Sequence, residues 1–209
     1  IRIVGYILVF ITAATIVGFE VTSFVAILGT ASMAIGLALQ GALSNLAGGV
    51  LILLLKPFKV GDYIVENNGH NEGTVESIDI FYTRLLTHDN RLVVIPNGTL
   101  TNSSLINVTS EAKRKIEVTI PVAYNTDLKK MKEVVLGILS EDDRILDSEP
   151  KDIFISSFDD SGMTIAIRAW AATSDYWSTL WELRENIKEA FDENGIEIPY
   201  NRLEVEMKN

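Results

Sequence analysis

Residues 21–55 read VTSFVAILGTASMAIGLALQGALSNLAGGVLILLL, thirty-five positions in a row without a formal charge. At about 1.5 Å of rise per residue, an α-helix of this length extends roughly 50 Å. The hydrocarbon core of a bilayer is only about 30 Å thick. One straight span cannot use the whole stretch, so it predicts a long helix with a bend. Glycine loosens a helix interior, which marks Gly41 and the Gly48-Gly49 pair as hinge positions. The expected result is a spanning half, about residues 21–40, and a second half lying along the membrane surface.

The spanning half carries an order that hydrophobicity alone does not require. On a wheel of about 100° per residue, Met33 and Leu37 share one face a turn apart. Thr30, Ala34 and Ala38 lie to one side and Gly29, Ser32 and Gly36 to the other, with Ala26 a further small residue of the same set. Phe24, Leu28, Ile35 and Leu39 collect at the back. Small residues let membrane helices approach closely. Small flanks on both sides of one front suit a helix with a like neighbour on each side, and that contact repeated closes a ring. Such a ring points Met33 and Leu37 at its own axis. The plainer alternative, close packing in an ordinary membrane bundle, stands level with it on the wheel alone.

The chain opens at Ile1 rather than methionine, as a fragment of something longer would. Ile3 to Phe19 is an uncharged apolar run of seventeen, near the lower limit for a spanning helix. A signal peptide fits poorly, because the longer apolar segment follows directly after Glu20. The pair predicts a transmembrane hairpin. Arg2 before the first helix and Lys56 and Lys59 after the second place both outer ends in the cytoplasm.

Charge divides the chain at Pro57. Residues 1–57 hold two basic residues (Arg2, Lys56) and one acidic (Glu20), so of the 18 basic and 28 acidic residues the remainder carries 16 and 27, a net of −11. A neutral membrane part therefore precedes an acidic part large enough for one or two domains. The absence of cysteine excludes disulfides and thiolate metal sites. From Phe58 to about Ser110, short β-branched or apolar runs (Tyr63–Val65, Gly73–Ile78, Thr83–Thr87, Arg91–Ile95) alternate with the turn sequences Asn67-Asn68-Gly69 and His88-Asp89-Asn90. That is the pattern of a small barrel or sandwich, with Pro96-Asn97-Gly98 a strand terminator. From about Lys113 the order becomes strand, helix, strand, strand, helix, strand. Thr126-Asp127 opens a helix with Met131, Val134, Val135 and Ile138 on one face, and a hairpin turns at Asp159-Asp160-Ser161-Gly162. Ser174-Asp175 caps a second helix that Gly195 stops, and Leu203–Met207, with Glu204 and Glu206 on a wet face, closes as the last strand. This is a ferredoxin-like α+β arrangement.

Three separated stretches share one resemblance. The run Gly29–Gly49, the exit Lys56-Pro57-Phe58-Lys59-Val60-Gly61-Asp62-Tyr63-Ile64, and Val94-Ile95-Pro96-Asn97-Gly98 resemble the pore helix, its exit and the β-domain signature of the small-conductance mechanosensitive channel family. The resemblance covers essentially the whole chain. It implies a homo-heptamer in the inner (plasma) membrane, multi-pass, with the C-terminal domain in the cytoplasm and at least one further spanning helix upstream. It implies four regions: a lipid-side transmembrane helix (1–20), a pore-lining helix (21–57), an Sm-like β domain (58–110) forming a collar, and an α+β domain (111–209) helping to enclose a vestibule. Membrane lipids, permeating ions and small solutes are then its partners.

The function expected is a channel opened by membrane tension that releases ions and small osmolytes under hypo-osmotic shock. Rings of Met33 and Leu37 form a constriction that expels water, Gly41 sets the bend, and Gly48-Gly49 form a second hinge. Gln40, Ser44 and Asn45 supply polar groups below the constriction, Asn45 against a neighbouring helix or the β collar. Against the usual family pattern, Met33 stands for a leucine, Ser32 for a glycine and Thr30 for an alanine. No cofactor and no enzyme activity are expected: there is no Walker-type loop and no GxSxG elbow. Asp142-Asp143 and Asp159-Asp160 read as solvated turns, His70 and His88 as surface residues, and Trp170, Trp177 and Trp181 as core and helix-packing aromatics. The acidic balance argues against nucleic acid. A membrane-anchored sensor or scaffold with a soluble partner-binding domain is the rival reading.

Overall fold

The computed structural model describes residues 2–66 and 71–201, leaving out the side chains of Ile3 and Val4. The expected Asn67-Asn68-Gly69 turn, His70, and the last strand Leu203–Met207 with Glu204 and Glu206 lie outside the described residues. The chain divides into two compact units, residues 1–108 and 109–209.

The first unit begins with two helices, α1 (Arg2–Ile16) and α2 (Thr22–Leu55). Helix α1 stops short of the apolar run predicted for it, because Gly18 turns the chain at φ +88°. Helix α2 has the length expected and carries its hydrogen-bond ladder through Gly41 without a break. A bend there is therefore a curvature of a continuous helix rather than an interruption. It ends at Lys56, which takes a left-handed conformation (φ 48°) while its N–H bonds the carbonyl of Ile52 at 2.9 Å.

Five strands follow: β1 (Tyr63–Glu66), β2 (Glu72–Ile78), β3 (Tyr82–Leu86), β4 (Leu92–Pro96) and, after a short helix α3 (Asn97–Asn102), β5 (Leu105–Asn107). They form one antiparallel sheet in the order β4-β3-β2-β1-β5. Strands β2 and β3 alternate buried and exposed residues, as a sheet with one covered face must. The covered face holds Ile64, Val75, Leu85 and Ile95, and Leu100 of α3 with two residues from the exit of α2, Ile52 and Phe58, completes this core. Burying one such side chain contributes roughly 1.5–3 kcal/mol. The motif Lys56–Asp62 thus has a local cause: a left-handed turn, an aromatic plug, a second left-handed turn at Gly61 (φ +95°), and a carboxylate at Asp62 that accepts from the N–H of Lys59 and from Asn107 Nδ2.

The second unit contains β6 (Lys113–Val122), α4 (Leu128–Glu141), β7 (Asp152–Asp159), β8 (Gly162–Ala172) and α5 (Tyr176–Asn194). The sheet order β6-β8-β7, all antiparallel, is the central part of the expected ferredoxin-like arrangement. Asp127 caps α4 by accepting from the N–H groups of Lys129 and Lys130, and Gly195 ends α5 at φ +67°. The α5 cap differs from expectation: Asp175 occupies the position but its side chain accepts nothing from the helix, and receives the Ser174 hydroxyl instead. Met131, Val135 and Leu139 of α4 and Leu180, Leu183, Ile187 and Phe191 of α5 close over the sheet.

Candidate functional site

Helix α2 has two halves with opposite surroundings. In the first, every residue from Gly29 to Gln40 is exposed in the protomer, including Met33 (68%) and Leu37 (62%). Ala26, Gly29, Thr30, Ser32, Ala34, Gly36 and Ala38 are exposed on its flanks. A Cβ added at Gly29, Gly36 or Gly41 would meet nothing within 4 Å. The two hydroxyls on this stretch turn back onto their own helix, Thr30 Oγ1 to the carbonyl of Ile27 (2.9 Å) and Ser32 Oγ to that of Leu28 (2.7 Å). Their polar groups are satisfied within the helix and leave its flanks smooth. Behind, Phe24, Ile27 and Leu28 line a shallow apolar cleft with Tyr6, Ile7, Phe10 and Ile11 of α1.

The second half is docked. Gly48, Gly49 and Ile52 are buried. A Cβ at Gly48 would lie 2.7 Å from the carbonyl carbon of Asn97, and one at Gly49 would lie 2.3 Å from the carbonyl oxygen of Ile80. These glycines form a notch that admits the backbone of the β domain, a reason that packing alone supplies. Into the notch fits α3, held by Asn97. This residue is fully buried; Thr83 Oγ1 donates to its Oδ1, its Nδ2 donates to the carbonyl of Asp79, each at 2.8 Å, and its N–H donates to the carbonyl of Phe81. The N–H of Gly98 then donates to Asn45 Oδ1 at 3.0 Å. A Cβ at Gly98 would sit 2.8 Å from both Asn45 Oδ1 and Ser44 Oγ.

The structure thus brings Ser44 and Asn45 together with Gly48, Gly49 and the Pro96-Asn97-Gly98 motif, and leaves Gln40 exposed and apart. For Asn45 the contact lies with the β domain. The motif is more than a strand terminator: Asn97 is a three-way clamp that sequence reading missed, its one signal being an asparagine between proline and glycine at a strand end.

The other candidate groups are structural. Asp142 is gripped by Arg144 (Nε to Oδ1 and Nη2 to Oδ2, both 2.8 Å), which reaches Glu182 as well. The Arg144 guanidinium holds the Asp142 carboxyl below its ordinary value against the opposing effect of burial. Asp159 accepts from Ser157 and Thr164. Trp177 and Trp181 depart from expectation: each is 55% exposed, because the buried face of α5 is taken by Leu180, Leu183 and Ile187. Trp170 is half-buried under Lys113 and Lys115.

A long uncharged helix, bare along one half and keyed by one face into the β domain along the other, has the length and composition of a membrane span; among the described residues α2 is the one helix long and apolar enough to cross a bilayer. Consecutive parts of the chain match three family descriptions: "Mechanosensitive ion channel, transmembrane helices 2/3" over residues 1–40, "Mechanosensitive ion channel, beta-domain" over 41–110, and "Mechanosensitive ion channel MscS, C-terminal" over 116–198. The small-conductance mechanosensitive channel of Helicobacter pylori is 39% identical over 95% of this chain and 72% of its own length. An MscS family protein of Buchnera aphidicola is 40% identical over 91% of this chain and 67% of its own. The crystal structure of Helicobacter pylori MscS superposes with a TM-score of 0.88 at 39% identity, over 97% of this chain and 80% of that one. The chain belongs to the MscS family of mechanosensitive ion channels. That is a family of membrane channels and not of enzymes, and the chain spans about two thirds to three quarters of the length of these two curated relatives.

Proposed function

We propose that the protein forms a homo-oligomeric pore, a heptamer by its family resemblance, that membrane tension opens to release ions and small osmolytes under hypo-osmotic shock. One observation carries this reading. The half of α2 that bears Met33 and Leu37 has no cover in its own protomer, while the other half is locked to the β domain. Copies of the bare half meeting through Gly29, Thr30, Ser32, Ala34, Gly36 and Ala38, with Ala26 above them, enclose an axis lined by Met33 and Leu37. Two stacked apolar rings block ions by expelling water rather than by a plug.

Tension favours the state with the larger area in the membrane plane, and only through that difference. Neighbouring helices sliding along their small flanks withdraw the rings from the axis. Gly41, just above the docked half, is the natural bend, since nothing in the protomer restrains it. A hinge at Gly48-Gly49 asks more: the helix must lift from Asn97 and give up the Asn45–Gly98 hydrogen bond, which suits a separate desensitised state. Both helices lie in the inner membrane as a multi-pass assembly, with the second unit in the cytoplasm.

The test is tension-activated current from the full-length protein reconstituted in liposomes, with particle size measured in detergent. Discrete openings that rise with suction, from a ring-sized particle, are expected. A monomer without current favours the sensor or scaffold reading, for which the bare front of α2 has no use.

A further inference from the structure

The three described methionines differ sharply in their surroundings. Met131 and Met163 are sealed in the core of the second unit, whereas Met33 is left uncovered by its own protomer, on the front of α2 that the proposed ring turns to its lumen. A thioether is the one side chain on the Met33/Leu37 front that can change polarity by a covalent step under mild conditions; leucine offers no such chemistry. Oxygen transfer turns methionine into a polar, chiral sulfoxide.

We propose that Met33 is a reversible oxidation site through which peroxide or hypohalous acid unlocks the channel; this rests on the reading of Met33 and Leu37 as a dry constriction. In the step with peroxide, a sulfur lone pair attacks one oxygen as the O–O bond breaks, and the departing hydroxide takes the proton of the transferred oxygen to leave as water. With hypochlorous acid the lone pair attacks chlorine as the O–Cl bond breaks and hydroxide leaves; water then displaces chloride from sulfur and releases two protons, one of which neutralises that hydroxide. Sulfur is oxidised and the peroxide or hypohalous acid reduced. The product places a strong hydrogen-bond acceptor in every copy around one level of the pore. Water then stays where it was expelled, since a dry site penalises an unpaired polar group. Buried Met131 and Met163 are shielded from the same oxidant, so the core of the second unit is spared at doses that modify the gate.

The experiment uses the full-length channel in liposome patches, treated with hydrogen peroxide or a chloramine, with peptide mass spectrometry of the same sample. The expected result is one added oxygen at Met33 before Met131 or Met163, and at least about a tenfold rise in resting open probability. Methionine sulfoxide reductases A and B with reductant should reverse the rise. Met33→Leu, whatever threshold it sets for itself, should show the same gating before and after the oxidant while keeping every other methionine. Oxidised Met33 with unchanged gating, failure of Met33 to oxidise, or an equal response from Met33→Leu overturns the proposal. Untreated Leu37→Ser separates the two levels of the argument. If it leaks while Met33 oxidation is silent, the constriction stands and only the oxidation site falls. If neither change wets the pore, the constriction reading falls with it.

Discussion

Between Gly29 and Gly41 the glycines of α2 border open space, whereas at Gly48 and Gly49 an added methyl group would collide with backbone atoms of the β domain. The same residue type admits the protein's own β domain in one half of the helix and, in the proposed ring, would admit a neighbouring copy in the other. Beyond the cleft that Phe24, Ile27 and Leu28 share with α1, residues 29–40 are left uncovered by their own protomer. The second half is part of a folded domain, sharing a core with Ile64, Val75 and Leu85.

The contrast can be broken most severely at Gly49. Gly49→Ala forces its methyl group against the Ile80 carbonyl oxygen, so destabilisation of about 3 kcal/mol is expected, the upper end for overpacking. Thermal unfolding of the detergent-purified protein measures it, and a melting point equal to the parent's would refute the notch. Asn97→Ala should cost about 2 kcal/mol, because Thr83 Oγ1 and the Asp79 carbonyl lose their buried partner; urea denaturation followed by sheet circular dichroism reads it. Leu37→Ser should leave unfolding unchanged and raise resting open probability about tenfold, equivalent to roughly 1.4 kcal/mol. Patches silent at zero tension would contradict it. Asn45→Ala removes one hydrogen bond worth about 1 kcal/mol; recordings under sustained pressure should show altered desensitisation with an unchanged threshold. Gly41→Ala is the mildest. It should stiffen the bend and slow closing, while stability stays equal or rises by about 0.5 kcal/mol, and identical closing kinetics would remove Gly41 from the mechanism.

The elements that the sequence made legible are those fixed by neighbours along the chain. Asp127 and Gly195 bound their helices through local hydrogen bonds and a left-handed φ, and the alternation of β2 and β3 states which face is covered. Helix α3 and the three-residue β5 were not readable. Neither has a periodic pattern long enough to show, and Asn97 is buried by partners 14 and 18 residues away. The exposure of Trp177 and Trp181 was misjudged for a related reason. Large aromatics on a helix suggest a core, yet three aliphatic residues of α5 already fill that face. On the site itself, the front, flanks and back of α2 are a matter of angular spacing and can be read directly. Why Gly48-Gly49 must be glycine depends on Ile80 and Asn97, which no local pattern connects to them.

Because α2 passes from bare to docked without interrupting its hydrogen-bond ladder, the azimuth of Leu37 is set from below, by the seat of Asn45 on Gly98. Helical phase alone relates the two. One residue inserted between Gln40 and Ser44 would swing the Met33 front by about 100° without touching any contact in the β domain. Four inserted residues would bring it back to within about 40°, so this short connector tolerates changes of length only in near-whole turns.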